Sequence, residues 1–325
     1  MHNVVLLGHG IGVKKVIETL NNKVDLNMRV SAVITHPRAL HDSDLALIEK
    51  NKIHYGDYAY NVFNVVSDFG IELLEFKDVN EVNCVNFIKS QNPKYIISIG
   101  CRNIIKSTFL AEFERRVLNI HTTPLPKYRG AANDSWMILN GLWGTKQYGC
   151  MHFIDEGIDT GDIISKSSYL IPNKAYPIDV FKSRMNTFSE IVYNGIKSLE
   201  NPDSEFEKQN VNESSVFPRL FTPKDGKINF ELFIGEELIR FIYAFGYPFE
   251  GAFCFFEEKK VNILEATFFE DKTLHSFGLG IIFGKDEFGN YKVIVRGGFI
   301  VITKIELDGK PISQNSLFRL GKRLK

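Results

Sequence analysis

Short apolar runs alternate with stretches of helical period through the first third of the chain, and no other feature narrows the possible fold as far. Val4–Leu7, Arg29–Thr35, Ile71–Leu74, Tyr95–Ile99 and Val117–Ile120 are the apolar runs. Between them Val13–Leu20, Asp44–Lys50, Val79–Ser90 and Asn103–Phe113 have helical spacing, while residues 52–64 are aromatic with no clear period. Strands of this kind, joined by helices, imply a doubly wound, mostly parallel Rossmann-like α/β sheet. Ala131–Leu139 then reads as helix, Ile163–Leu170 as strand and Pro177–Leu199 as one long amphipathic helix. A polar stretch, 201–215, reads as a linker, giving a catalytic domain over 1–200. Beyond it a helix at Gly235–Phe245 precedes several short strands with glycine turns, Ala252–Phe256 through Phe299–Glu306. These imply a small open β-barrel, OB-like, over 216–325.

One stretch carries candidate chemistry. Asn119 and His121, two apart where the fifth apolar run ends, point to one face at the carboxyl end of a strand, where open α/β sheets place their sites. Pro124 and Pro126 exclude helix from the next residues and leave a stiff, irregular wall. Gly157 and Gly161 bracket Asp159 in a loop that can present a carboxylate. From spacing alone, a polar strand end followed by an ordinary turn fits as well as a site does.

The motifs Asn119-x-His121-x-x-x-Leu125-Pro126, then Tyr128-Arg129-Gly130, then Asp155-x-Gly157-x-Asp159-x-Gly161-Asp162, with Asp159 38 residues after His121, resemble the active-site signature of the 10-formyltetrahydrofolate-dependent formyltransferases. All the spacings of the signature are intact, and only Thr122-Thr123-Pro124 departs from the usual segment. The resemblance implies that Asn119, His121 and Asp159 are catalytic and that the co-substrate is N10-formyltetrahydrofolate, with no metal. Formyl transfer passes through a tetrahedral oxyanion while the attacking amine loses a proton. An Asn amide can hydrogen-bond that oxygen, an imidazole titrating near about 6.5 can take the proton or, charged, help hold the oxyanion, and a carboxylate can orient the imidazole or a shuttling water.

The same resemblance extends to binding residues. Folate is expected near Ser98, Gly100 and Arg102 and along Ile154, Asp155 and Gly157, held largely by backbone groups. The acceptor is expected along Thr123, Lys127, Tyr128 and Arg129, with its phosphates at the Gly8-His9-Gly10 turn and near Lys77. By themselves those glycines form a strand-to-helix turn that suits phosphate without being the full dinucleotide fingerprint. His36 and His41 read as surface loop residues with no metal-ligand spacing.

Two branches of the family share the two-domain plan: methionyl-tRNA formyltransferase, with a basic barrel and a basic insertion after its second strand, and the enzymes that formylate nucleotide-linked amino sugars. Here residues 201–325 carry 17 Lys and Arg against 18 Asp and Glu, and the segment after the second strand, 37–44, is short and acidic. Both features favour the sugar branch over nucleic acid. A dTDP-linked 4-amino-4,6-dideoxyhexose destined for a surface polysaccharide is the expected acceptor. A silent folate- or nucleotide-sugar-binding protein and a formylfolate hydrolase remain as readings of other classes.

The whole chain carries 39 positive and 39 negative side chains, so no global field draws it to a polyanion or membrane. It opens directly into a strand pattern without a leader, and four scattered cysteines read as buried free thiols. A cytoplasmic location follows as expectation. Tyr247, Phe249, Phe253, Phe255, Phe256, Phe268 and Phe269 crowd residues 246–270, more aromatic surface than a small barrel hides alone. The expectation is a homodimer through the C-terminal domain.

Overall fold

Every residue from Val4 to Leu7 is fully buried, and since strand side chains alternate, the first strand must be covered on both faces. A computed structural model describing residues 1–325 supplies that cover. The strands are β1 (His2–Gly8), β2 (Met28–Thr35), β3 (Glu72–Glu75), β4 (Pro93–Ile99), β5 (Val117–His121), the two-residue β6 (Arg129–Gly130), β7 (Lys146–Phe153) and β8 (Ile163–Leu170). All but β6 form one sheet in the order β3-β2-β1-β4-β5-β7-β8. Strands β1 to β5 are parallel, and β7 runs antiparallel to both β5 and β8. The helices are α1 (Ile11–Asn22), α2 (Asp42–Lys50), α3 (Lys52–Tyr55), α4 (Val62–Asp68), α5 (Val82–Ser90), α6 (Ser107–Phe113), α7 (Asn133–Leu139), α8 (Pro177–Met185) and α9 (Phe188–Glu200). Val4 and Leu6 pack with Val13, Val65 and Ile191 of α1, α4 and α9. Val5 and Leu7 pack with Ile88 and Phe109 of α5 and α6 on the other face. The doubly wound α/β fold is therefore present.

Some elements differ from expectation for local reasons. Ala132 is left-handed, φ 56°, so α7 starts only at Asn133. The long helix expected over Pro177–Leu199 is two, because the Thr187 hydroxyl donates to Arg184 O at 2.7 Å, competing for a carbonyl of the last turn. The polar stretch 201–215 lies along the sheet: Ile163 and Glu207 exchange backbone hydrogen bonds of 2.8 and 3.0 Å, and β9 (Val216–Phe217) pairs with β6.

The chain divides into two units, one of Met1–Asn133, Lys146–Leu170 and Phe181–Pro218, the other of Asp134–Thr145, Ile171–Val180 and Arg219–Lys325. In the second, α10 (Gly235–Ala244) lies with an antiparallel sheet of β10 (Ala252–Phe256), β11 (Lys259–Glu270), β14 (Gly298–Leu307), β13 (Tyr291–Val295) and β12 (Ile282–Lys285), in that spatial order, with β15 (Lys310–Pro311) on β14. Residues 321–325 span the gap between its end strands: Ile282 N donates to Lys322 O at 2.8 Å, while Phe255 and Lys325 exchange bonds of 2.6 and 2.8 Å. The aromatic crowd is largely absorbed within this unit. Phe253 and Phe256 are buried, Tyr247 packs on Tyr176, and Phe269 alone of the group is exposed, at 46%. Four free thiols are present, Cys84, Cys150 and Cys254 buried and Cys101 half-buried.

His36 and His41 are not surface residues, since each is only 2% exposed. The loops after β1, β2 and β4 meet, and His36 Nε2 accepts the Arg102 N–H at 3.0 Å while His41 Nε2 lies 3.3 Å from Thr35 Oγ1. The His9 ring stands 5.0 Å from that of His41. Ligand atoms of His9, His41 and Asp44 come within 4.8 Å of one another, a proximity invisible in the sequence spacing. Asp44 is ion-paired with Arg102. Burial, followed by the fields of His41 and Arg102, pushes His9 down to about 4. Burial also lowers His36 and His41, again with Arg102 contributing.

Because the folded-state value of His9 lies below the ordinary 6.5, the unfolded chain binds its proton first. Its contribution to stability is present above 6.5 and is lost as pH falls towards about 4. The urea-unfolding midpoint is expected to fall between about pH 7 and about pH 4.5, and less steeply for His9→Gln. Equal slopes for the two proteins would remove His9 from the account.

Candidate active site

Where β5 runs out, two neighbours fix what stands beside it. Ser98 of β4 is in register with Asn119, and on the other side β7 sets His152 opposite Asn119 and Cys150 opposite His121. Residues directly opposed in an antiparallel pair share a face and lie close enough for their side chains to meet. Asn119 Nδ2 stands 3.1 Å from His152 Nε2. Sequence held no sign of His152, because the antiparallel register of β5 and β7 that opposes it to Asn119 is a property of the sheet.

Asp159 joins the group. Its Oδ1 accepts from Asn119 Nδ2 at 3.4 Å and lies 3.6 Å from His152 Nε2. Its Oδ2 accepts the Gly130 N–H at 3.0 Å and lies 3.6 Å from His121 Nδ1. The residue is left-handed, φ 52°, a conformation that a non-glycine residue holds only when its surroundings fix it. Those surroundings include Gln209, whose Nε2 donates to Asp159 O and Gly161 O, both at 2.8 Å. A Cβ on Gly161 would come within 2.0 Å of Phe153 O, so the loop can fold back on β7 only with glycine there. Gln209 is a second residue that sequence missed, since it belongs to the stretch read as linker.

The proton positions follow from the partners. His121 Nε2 is 2.6 Å from Tyr128 O, and a carbonyl only accepts, so that nitrogen carries the hydrogen. Thr123 Oγ1 lies 2.7 Å from the same nitrogen and takes a hydrogen bond from Asn133 Nδ2 at 3.1 Å. In the neutral ring Nδ1 is then the basic atom, and it is the one facing Asp159. Burial holds His121 below its ordinary value, Asp159 opposing, so the ring is neutral at pH 7. Burial pushes the Asp159 carboxyl up, but its neighbours, the Gly130 N–H among them, outweigh that and hold it well below the usual range. An ionised carboxylate thus waits beside a neutral imidazole, an arrangement that can accept a proton on His121 and stabilise the resulting charge.

The remaining candidates divide. Thr123 belongs to the group. Tyr128 and Arg129, 8% and 6% exposed, face protein: the Tyr128 ring stacks on Phe217 at 5.2 Å, and Arg129 Nη2 donates to Gln209 at 2.7 Å. Lys127 and Lys77 are exposed on loops. Ile154 leads into the Asp159 loop with its N–H on Val117 O at 2.9 Å, and Asp155 Oδ1 accepts the Gly157 N–H at 3.1 Å. Ser98 is buried beside Asn119, Gly100 lies exposed beyond it against the His9 ring, and Arg102 reaches Asp44. Gly8 presses on β4, where a Cβ would meet Ile99 O at 2.0 Å. Gly10 is the residue before α1, at φ 72°.

Known proteins share this plan. Residues 2–193 match the family described as formyl transferase, and residues 221–322 match the formyl transferase C-terminal domain. The methionyl-tRNA formyltransferase of Finegoldia magna is 25% identical over 244 residues, 75% of this chain and 76% of its own. That of Rickettsia bellii is 25% identical over 307 residues, 94% and 93%. The N-formyltransferase of Helicobacter canadensis, solved with folinic acid and dTDP-3-aminofucose, shares the fold at TM-score 0.60 and 20% identity, over 94% of this chain and all of that one, 100%. With a family match spanning more than half of its residues, this chain belongs to the formyl transferase family and is a formyltransferase.

Proposed function

We propose that the enzyme moves the formyl group of N10-formyltetrahydrofolate to the amine of a dTDP-linked amino sugar in the cytoplasm, for a surface polysaccharide. The observation that carries the chemistry is the convergence of Asn119, neutral His121 and ionised Asp159 at the end of β5. The amine nitrogen bonds to the formyl carbon and the carbonyl oxygen becomes an oxyanion, which the Asn119 amide holds. The amine proton passes to His121 Nδ1, where Asp159 stabilises the imidazolium. As the bond from carbon to folate N10 breaks, that proton goes to N10, releasing tetrahydrofolate and the formamide.

Removing an oxyanion donor costs about 100- to 1000-fold, and Asn119→Ala and His121→Ala are each expected to lower kcat by at least about 100-fold with the fold retained. Asp159→Asn, which keeps the shape and loses the charge, should fall comparably. Since neutral His121 is the base and its pKa is depressed, the acid limb of kcat/KM is expected below the ordinary imidazole value of about 6.5. Near-normal turnover of either alanine variant would end this assignment.

For the acceptor, the near-balanced charge of residues 201–325 supports a small phosphorylated ligand over a polynucleotide, as does the dTDP-3-aminofucose complex of the Helicobacter canadensis enzyme. The names of the sequence relatives favour initiator tRNA instead. A panel of 3- and 4-amino dTDP-sugars, run beside methionyl-tRNA, separates the two. Formylation of a dTDP-sugar is expected, together with no salt-steep tRNA binding; formylation of tRNA alone would reverse the reading.

The chain is also proposed to form a homodimer through its second unit. Phe269 and Phe283, 46% and 40% exposed, stand against Phe299, the first stacked at 5.3 Å and the second edge-on at 5.5 Å, an aromatic patch suited to burial on a two-fold axis. Light scattering should give twice the chain mass, and Phe269→Asp should give the monomer. A full-length monomer at micromolar concentration removes the proposal.

A further inference from the structure

We infer that His152 is a positioning residue: as the neutral tautomer with its hydrogen on Nδ1, it fixes the Asn119 amide so that one N–H is aimed at the reacting carbonyl. The inference rests on the reading of Asn119 as the oxyanion donor.

The tautomer follows from one contact. His152 Nδ1 is 2.7 Å from Phe153 O. A backbone carbonyl has no hydrogen to give, so Nδ1 donates, and in the neutral ring Nε2 is left as an acceptor. The group opposite that lone pair, at 3.1 Å, is Asn119 Nδ2. The second neighbour of the same amide nitrogen is Asp159 Oδ1 at 3.4 Å, also an acceptor, since the carboxylate is ionised. Two acceptors on one side of the amide determine which end faces them. A flipped Asn119 would set its carbonyl oxygen against a lone pair and a negative charge, with repulsion at both contacts. His152 itself has no freedom to adapt, being 1% exposed, with its ring held by the Phe153 carbonyl.

The two contacts are unequal, and the inequality matters for catalysis. At 3.1 Å the bond to His152 is well formed, whereas 3.4 Å to Asp159 is near the limit of hydrogen bonding. The hydrogen directed at Asp159 is therefore the weakly held one, which a developing oxyanion can share without the planar amide turning, while the bond to His152 anchors the amide. An anchored donor needs no reorganisation when charge develops, and that preorganisation is what makes such a donor effective. His152 touches neither substrate nor reacting atom in this scheme and acts only through Asn119.

A double-mutant cycle on the full-length enzyme tests this, with formyl transfer to the best acceptor as readout and thermal unfolding as the check on folding. His152→Leu removes the acceptor, and His152→Gln offers a side-chain oxygen in its place. His152→Leu is expected to lower kcat by about 10- to 100-fold with KM nearly unchanged, and His152→Gln to recover much of the loss. In the Asn119→Ala background, His152→Leu should have no further effect, because the group it positions is gone. Multiplying losses in the double variant, or normal turnover of His152→Leu, overturns the inference. If His152→Leu does not fold, the same cycle with His152→Met decides it by the same criterion. Failure of the underlying reading looks different: Asn119→Ala would then be active by itself.

Discussion

A carboxylate kept ionised inside the protein is the interaction on which the rest of this site depends. Burying a charge is costly unless it is paired and hydrogen-bonded, and Asp159 meets that demand with the Gly130 N–H and the Asn119 amide, while two imidazoles stand 3.6 Å away, where a proton taken up by either would be stabilised. The two donors come from different segments, so satisfying this single charge ties the wall after β5 to the end of β5, with His152 of β7 alongside. The left-handed backbone of Asp159 and the glycine behind it are local conditions for placing the charge there. Gln209 then ties the loop from outside through two backbone carbonyls and holds Arg129 in the same contact. The stretch after α9 is consequently part of the scaffold that positions the carboxylate.

The mixed character of the sheet matters equally. A purely parallel continuation beyond β5 would require a crossover to reach the next strand. Here the strand beyond β5 is antiparallel, and it sets His152 directly across from Asn119. The same pairing buries His152, while His121 is buried beside it and Asn119 is half-buried, so the residue that orients lies deepest and the amide that reacts is the more open. The tautomers of the two histidines are each fixed by a carbonyl, Tyr128 O for His121 and Phe153 O for His152. As a result the free lone pair is Nδ1 on one ring and Nε2 on the other.

Much of the fold was legible because local and tertiary preferences agree. β1, β4 and β5 are continuous apolar runs buried on both faces, and α1 and α10 carry clear apolar stripes. The triad of Asn119, His121 and Asp159 was legible as spacing, through its likeness to a family signature, and the structure brings all three together. What escaped depends on contacts distant in sequence. His36 and His41 look like loop polars but are buried because three strand ends converge. His152 sits in an apolar run, where a lone histidine reads as packing, and its role depends on the register of β5 against β7. Gln209 lies in a polar stretch whose backbone bonds to Ile163 have no sequence pattern. The aromatic crowd at 246–270 was legible in composition but not in destination, because Tyr176, from a segment 70 residues earlier in the chain, supplies part of its cover.

The site also separates what the fold determines from what it leaves open. Asn119, His121, His152 and Asp159 are arranged by strand register and one glycine-bounded loop, and none of these features depends on the molecule that supplies the amine. Relatives named for tRNA and a structural neighbour solved with a nucleotide sugar share the plan, which is the outcome expected when chemistry resides in a common sheet and recognition in the segments around it. Around the sheet of this chain lie the loops after β1 and β2, which hold two buried histidines and a half-buried one, and a second unit whose charges nearly cancel. A polyphosphate chain gains most of its affinity from displaced counterions, which needs exposed positive charge in rows. A single diphosphate needs only a helix N-terminus and a few donors, a task that the proposed acceptor reading assigns to the turn from Gly8 to Gly10 ahead of α1. On the proposed reading, the electrostatic contrast, more than anything in the reacting group, is therefore what separates the two acceptor classes.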